Sequence, residues 1–180
     1  VRIPRLKALY RLTKEIDARN IPGDIVECGV YKGGSAGLMA YVSNNSPHNR
    51  SLWLFDSFDG EPPPTEKDGQ KMHDLYYTVW CKADKGTVER LLSSLSISPK
   101  RFHIISGWFE DTFSVTNTPS KIALIHLDCD MYESNKLCPR GRERSSAPFQ
   151  AARQIALRHA GRCEVCRDGR GAHCCGVRGG

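Results

Sequence analysis

No run of about 18 consecutive apolar residues occurs in this chain, so nothing in it reads as a membrane-spanning helix. Residues 1–20 are charged throughout and hold no unbroken apolar region, so no secretory signal is expected there. An excess of one charge is also missing from most of the chain: up to Lys136 it carries 17 Lys and Arg against 17 Asp and Glu. That balance gives the segment no electrostatic basis for binding nucleic acid. Lysine then disappears. Residues 137–180 carry nine Arg and three acids, so the whole net charge of +6 lies there, with five of the eight cysteines. The other three, Cys28, Cys81 and Cys129, are scattered, two of them in strand-like runs. They read as buried, reduced thiols of a cytoplasmic protein.

At 180 residues the chain has the length for one domain with a real core. Leu6, Leu9, Leu12 and Ile16 recur at helical spacing, which predicts a helix over Arg5–Arg19, stopped by Asn20-Ile-Pro-Gly23. The same reading gives strands at Asp24–Cys28, Ser51–Phe55, Phe102–Ile105 and Ile122–Leu127, with helices at Ser35–Ser43 and Thr87–Leu95. Gly60–Gly69, rich in Pro and charge, is expected to be a loop that covers a site together with Met72–Trp80. Short apolar strands alternating with helices predict a parallel α/β sheet. Ligands of such sheets bind outside the carboxyl ends of the strands. Glu27, Asp56, Gly107 and Asp128 stand at those ends.

The segment Glu27-Cys-Gly29-Val-Tyr31-Lys-Gly33-Gly34-Ser35 reads as a strand end, a tight turn and a helix start. Glycine in such a turn lets backbone N–H groups approach a ligand. A phosphate-binding P-loop needs Lys after its last glycine, and here Ser35 follows Gly34. The dinucleotide fingerprint G-x-G-x-x-G needs glycine where this chain has Tyr31. The methyltransferase form, an acid followed by x-G-x-G-x-G, fits better through Glu27, Gly29 and Gly33, although Tyr31 again replaces the middle glycine. Glu27 suits the ammonium of S-adenosylmethionine and Asp56 its ribose hydroxyls. Either acid alone could equally be a cap or turn residue. An NAD-dependent oxidoreductase is disfavoured by Tyr31 and by the lack of a hydride-transfer constellation.

Asp24–Ser35, Leu54-Phe-Asp-Ser-Phe-Asp-Gly60, Gly107-Trp-Phe-Glu-Asp-Thr112 and His126-Leu-Asp-Cys-Asp-Met-Tyr-Glu-Ser134 resemble the macrocin O-methyltransferase family, in order and spacing, over residues 3–136. The resemblance implies a Rossmann-like class I methyltransferase fold. It implies transfer of a methyl group from S-adenosylmethionine to a hydroxyl of a sugar or related small molecule, assisted by Mg2+. By that likeness Glu27 and Gly29 lie against the methionine part of the cofactor, and Asp56 binds the ribose. Ser106, Gly107 and Trp108 lie near the adenine, and Gly33, Ser35, Ser57 and Phe58 belong to the same cofactor-binding motifs. Asp128 is the implied magnesium ligand.

Asp128 and Asp130 are the candidate catalytic residues. A hard cation held by carboxylates can orient a diol and lower the pKa of a hydroxyl. His126, Asp128 and Asp130 alternate, which predicts all three on one side of an extended chain. Asp130 could also be a turn or cap, and His126 reads better as a packed strand residue than as a base. Tyr132 and Glu133 either line the acceptor side or start a helix. In the family the chain continues into a fifth apolar strand ending in an Asp-Asp pair that completes the metal site. No such pair follows Glu133 here. The sheet is therefore expected to stop after its fourth strand, and a catalytically incomplete cofactor-binding domain is the alternative reading. An open sheet edge would suit a second copy of the chain as partner.

Residues 137–180 are expected to be irregular or disordered, apart from a short helix over Arg153–His159. The abrupt change of composition after Lys136 reads as an altered reading frame or alternative exon. Cys163-x-x-Cys166 with His173, Cys174 and Cys175 could be a zinc site, although the spacing is short and no apolar mini-core surrounds it. A polybasic nucleic-acid arm is a further option, weakened by the lack of aromatics other than Phe149.

Overall fold

The computed structural model describes residues 3–76, 81–115, 119–138 and 155–158. The elements follow the sequence pattern closely. Helix α1 (Ile3–Ala18) leads into strand β1 (Asp24–Cys28), then α2 (Gly34–Asn44) and β2 (Leu52–Asp56). After a 3-10 turn at Glu66–Asp68 come α3 (Gln70–Tyr76), α4 (Lys85–Ser94), β3 (Phe102–Ser106), α5 (Phe109–Val115), β4 (Ile122–Leu127) and α6 (Tyr132–Leu137). A last strand, β5, spans Ile155–Arg158. All pairings are parallel, in the order β3-β2-β1-β4-β5. The fold is thus the expected parallel α/β sheet.

Alternation along the strands divides the core between two faces. Ile25, Leu52, Leu54 and Leu124 join Leu9, Leu12 and Ile16 of α1, Ala36, Met39 and Ala40 of α2, and Val88 and Leu92 of α4. Val26, Cys28, Phe55, Ile125 and Leu127 face the other way, against Phe109 and Phe113 of α5. Between β1 and β4 the register skips Ala123, a bulge that keeps Ile122 and Leu124 in step with Asp24 and Ile25.

Two expectations change. The sheet does not stop at β4: Ile155–Arg158 lies beside it as a parallel strand, with Leu124 opposite Ile155 and Leu127 opposite Arg158. The short helix expected over 153–159 is replaced there by this strand. An apolar triplet is too short for its period to separate helix from strand, while β4 offers a row of backbone donors and acceptors for pairing. The edge thought to be open at β4 is therefore covered, and the sheet ends on β3 and β5. Order also runs past Lys136: Cys138 is buried at the end of α6, its sulfur 3.5 Å from Cys129. Residues 163–175, with the possible zinc ligands, and the arginines of the possible basic arm other than Arg158 lie outside the described residues.

One buried cation fastens the first helix to the sheet. Arg50, 1% exposed, donates from Nε to Asp17 Oδ1 at 2.8 Å, from Nη1 to Gly23 O at 2.5 Å and from Nη2 to Ile16 O. Removing it takes the guanidinium from the Asp17 carboxylate and the Gly23 carbonyl, while Ile16 O keeps the Ile21 N–H at 2.9 Å. Arg50→Ala is expected to lower the unfolding free energy by about 3–5 kcal/mol. Urea denaturation followed by circular dichroism checks this, and a loss under about 1 kcal/mol would contradict the assignment.

Candidate functional site

Asp56, the last residue of β2, organises the sheet's carboxyl edge. Its Oδ2 accepts from the backbone N–H of Val30 at 2.6 Å and of Tyr31 at 2.8 Å, and its Oδ1 from that of Phe58 at 2.7 Å. Tyr31 and Phe58 both have left-handed backbones, with φ of 52° and 58°. That conformation is costly for bulky residues. The carboxylate therefore holds two aromatic residues in turns that glycine would adopt freely. It also explains how Tyr31 can stand where the methyltransferase pattern has glycine. Gly29 is different: its φ is 87°, and a Cβ there would lie 2.5 Å from the carbonyl oxygen of Asp128. No other residue fits between the turn after β1 and the end of β4.

These turns open onto a cavity of about 480 Å3. Its lining includes Gly29 and Ser35 after β1, Asp56 and Ser57 after β2, Gly107 and Trp108 after β3, and Asp128 and Asp130 after β4. Gly107 has φ 141°, and a Cβ there would lie 2.9 Å from Thr112 Cγ2. The loop after Gly60 is pinned beside the end of β4. Asp68 closes a capping box with Thr65 and accepts from the Tyr132 N–H at 2.5 Å. Tyr132 therefore starts helix α6.

Four of the expected cofactor residues, Glu27, Gly33, Phe58 and Ser106, do not line the cavity, and Ser106 ends β3 just before it. Glu27 is fully buried on the Ile25 face of β1, its Oε1 2.7 Å from His126 Nδ1 on β4. Burial raises its carboxyl above the usual range, against the opposing pull of His126 and then Ser35. Gly33, with φ 81°, packs where a Cβ would meet Val88 and Leu91 of α4 at 3.2 and 3.3 Å. Phe58 is buried in the core. The predicted alignment of His126 with Asp128 and Asp130 also fails. β4 ends at Leu127, so the alternation stops before the two aspartates, and His126 stays inside the sheet.

Other residues enter the site without having been singled out in the sequence. Arg5 lines the cavity, and its Nη1 donates to Asp128 at 3.0 Å (Oδ1) and 3.3 Å (Oδ2). Arg5 continues the buried stripe of α1, four residues before Leu9, and a charged residue in such a stripe is the signal that marks it. Glu61 lines the cavity too. Its carboxyl is held up at about 7 instead of 4.5, by burial first, then by Asp130, Asp56 and Asp128. Asp130 is also raised, by burial and Asp128, against Arg5. Cys129 reaches the lining, but its hydrogen bond with Cys138 and its burial push the thiol up, which makes it a poor nucleophile. Among the described residues no group of three His, Cys, Asp or Glu side chains is placed to hold a metal.

A glycine turn after β1, an acid at the end of β2 and carboxylates after β4 thus meet around one cavity at the carboxyl edge of a parallel sheet, the place where α/β domains bind ligands. The sequence profile of the macrocin-O-methyltransferase (TylF) family matches residues 2–138, and the chain belongs to that family. It is 30% identical over 137 residues to demethyldecarbamoylnovobiocin O-methyltransferase of Streptomyces niveus, covering 73% of this chain and 52% of that one. It is 28% identical over 134 residues to mycinamicin III 3''-O-methyltransferase of Micromonospora griseorubida, covering 71% and 52%. The solved structure of the O-methyltransferase NovP superposes with a TM-score of 0.63 at 28% identity, covering 76% of this chain and 58% of that one. CalS11, a calicheamicin methyltransferase, shares the fold with a TM-score of 0.61 at 23% identity, covering 75% and 57%. The chain spans about half the length of the curated relatives it matches.

Two predictions follow from this geometry. Asp56→Ala should destabilise the chain in urea, and Tyr31→Gly in that background should recover about 1 kcal/mol by removing one left-handed side chain. Equal losses with and without Tyr31→Gly would show that Asp56 does not hold the turn. An acid that titrates higher when folded binds its proton more tightly in the folded state. Glu61 therefore makes stability fall as pH rises from about 4.5 to about 7. Glu61→Gln should gain about 1–2 kcal/mol over wild type at about pH 8 and much less at about pH 5, measured by urea unfolding. A gain independent of pH would contradict this.

Proposed function

We propose that this chain carries the cofactor half of an S-adenosylmethionine-dependent O-methyltransferase that acts on a hydroxyl of a sugar or related small molecule. The carrying observation is the Asp56-clamped glycine turn opening on a cavity at the sheet's carboxyl edge, within a segment that belongs to the family. S-adenosylmethionine, when bound, supplies an activated methyl group on sulfur.

The chain's own residues bind and orient. A carboxylate has about four lone-pair positions, and backbone N–H groups use three of those on Asp56. One position on Oδ1 remains for a ribose hydroxyl. Trp108 offers a ring for an adenine. Gly29 and Ser35 bring backbone close to the cavity without bulk. Glu27 supports this turn from beneath, through the sheet, as a positioning residue. Asp130 and Glu61, both raised, are the carboxyls that could take a proton from an acceptor hydroxyl.

Magnesium, implied by the family likeness, does not fit the described residues. Asp128 is paired with Arg5, and no three ligands gather. The second reading, a cofactor-binding domain without turnover, is favoured by the lack of a metal donor set among the described residues. A cytoplasmic setting suits cysteines that form no disulfide among the described residues: Cys28, Cys81, Cys129 and Cys138. Among the described residues no helix is long and apolar enough to cross a membrane.

Titration calorimetry with S-adenosylhomocysteine is expected to show binding that Asp56→Ala weakens at least about tenfold, or about 1.4 kcal/mol. No binding at millimolar ligand sinks both readings. Binding without methyl transfer to any polyol acceptor leaves the second reading and removes the first.

A further inference from the structure

We propose that Arg5, and not a divalent cation, is the resident positive charge on Asp128, so that the cavity is assembled and binds its ligand without added metal. The proposal rests on reading the cavity as a cofactor site only for its calorimetric arm.

Arg5, Leu9, Leu12 and Ile16 fall on one stripe of α1, and the last three are buried in the core. The helix cannot rotate without exposing that stripe, so the base of the Arg5 side chain is fixed by packing. Its guanidinium then spans to Asp128, 123 residues away, with one nitrogen on both carboxylate oxygens. The pair is largely shielded: the side chains are 27% and 17% exposed. A charged hydrogen bond in such a setting is shorter and stronger than one at an open surface.

The alternative cation would need hard oxygen ligands. Mg2+ takes six in near-octahedral array, with carboxylates supplying the charge. Asp128 is the residue the family likeness offers, and its two oxygens already accept from Arg5. Asp130 and Glu61 lie in the same cavity, but with Asp128 they do not converge into a ligand group. A guanidinium at the helix start and a dication at Asp128 would repel one another at close range. The two cations exclude each other, and the fold supplies the first.

This placement gives Arg5 a positioning role. It holds the loop after β4, and with it Asp128 and Asp130, against the first helix. It also balances one charge in a cavity where Asp56, Glu61, Asp128 and Asp130 all reach the lining. Loss of the guanidinium would leave Asp128 without its partner and Lys32, on the turn after β1, as the remaining cation of the lining, and a small dication at Asp128 would then be the natural replacement.

The test uses the full chain with Mn2+ as probe, read by the relaxation enhancement of water protons. Wild type should show no site tighter than about 1 mM. Arg5→Ala and Arg5→Gln should each gain Mn2+ affinity by at least about tenfold. Adding Asp128→Asn should abolish the gain. Arg5→Lys, which keeps the charge, should behave as wild type. Wild-type binding well below millimolar that Asp128→Asn removes would overturn the proposal. So would a failure of both Arg5 variants to gain affinity while they remain folded by circular dichroism. In parallel, S-adenosylhomocysteine should bind wild type equally in EDTA and in Mg2+, and a tenfold gain with Mg2+ would also overturn it. Absence of binding in both buffers removes the cofactor reading alone, and the Mn2+ arm still decides the role of Arg5.

Discussion

One carboxylate governs the architecture of the site. Asp56 accepts three backbone N–H groups, and two of them belong to aromatic residues with left-handed backbones. Each such residue costs energy where it stands. A neutral acceptor would form weaker bonds, and an exposed one would compete with water. Because the same side chain touches the turn after β1 and the turn after β2, the two strand ends cannot drift apart. The cavity is in effect the space left over once Asp56 has drawn these turns together.

The neighbouring strand pair is joined by a different device. Glu27 and His126 lie opposite each other in the β1–β4 register, both fully buried. A buried acid facing a buried imidazole at 2.7 Å exchanges hydration for a polar contact between the strands. It is weak support in energy but strict in geometry, since a shift of one residue would turn both groups to the opposite face. Around the central strand, then, polar contacts set the register, while Leu, Ile and Val supply most of the buried area.

Much of this was legible in the sequence. Helical spacing of Leu9, Leu12 and Ile16, and short apolar runs such as those ending in Cys28, Phe55 and Leu127, place β1 to β4 and helices α1, α2 and α4 to within a residue or two, whereas the short helices α3 and α5 carry no such pattern and are not read from it. Gly29, Asp56, Gly107, Asp128 and Asp130 meet at one edge because parallel strands all present their carboxyl ends there. What stayed hidden depends on tertiary partners. Glu27 lies one residue from the strand end, and only the pleat decides that it faces inward. Arg5 looks like any surface charge on a helix until its stripe is seen to continue into the core. Strand β5 has too few residues for a period, and its pairing is dictated by the edge of β4, far away in sequence. Local pattern reports local structure; long-range electrostatics leave no local trace.

The close fit of Gly29 against the Asp128 carbonyl has a broader meaning. Here the backbones of the turn after β1 and of the end of β4 touch directly, without a side chain as cushion. Neither loop can be redrawn independently: a change of shape on one is felt on the other at once. Freedom to reshape the cavity is thereby left to the loop after Gly60 and to side chains beyond Asp128, while the contact itself acts as a fixed pin around which they are arranged.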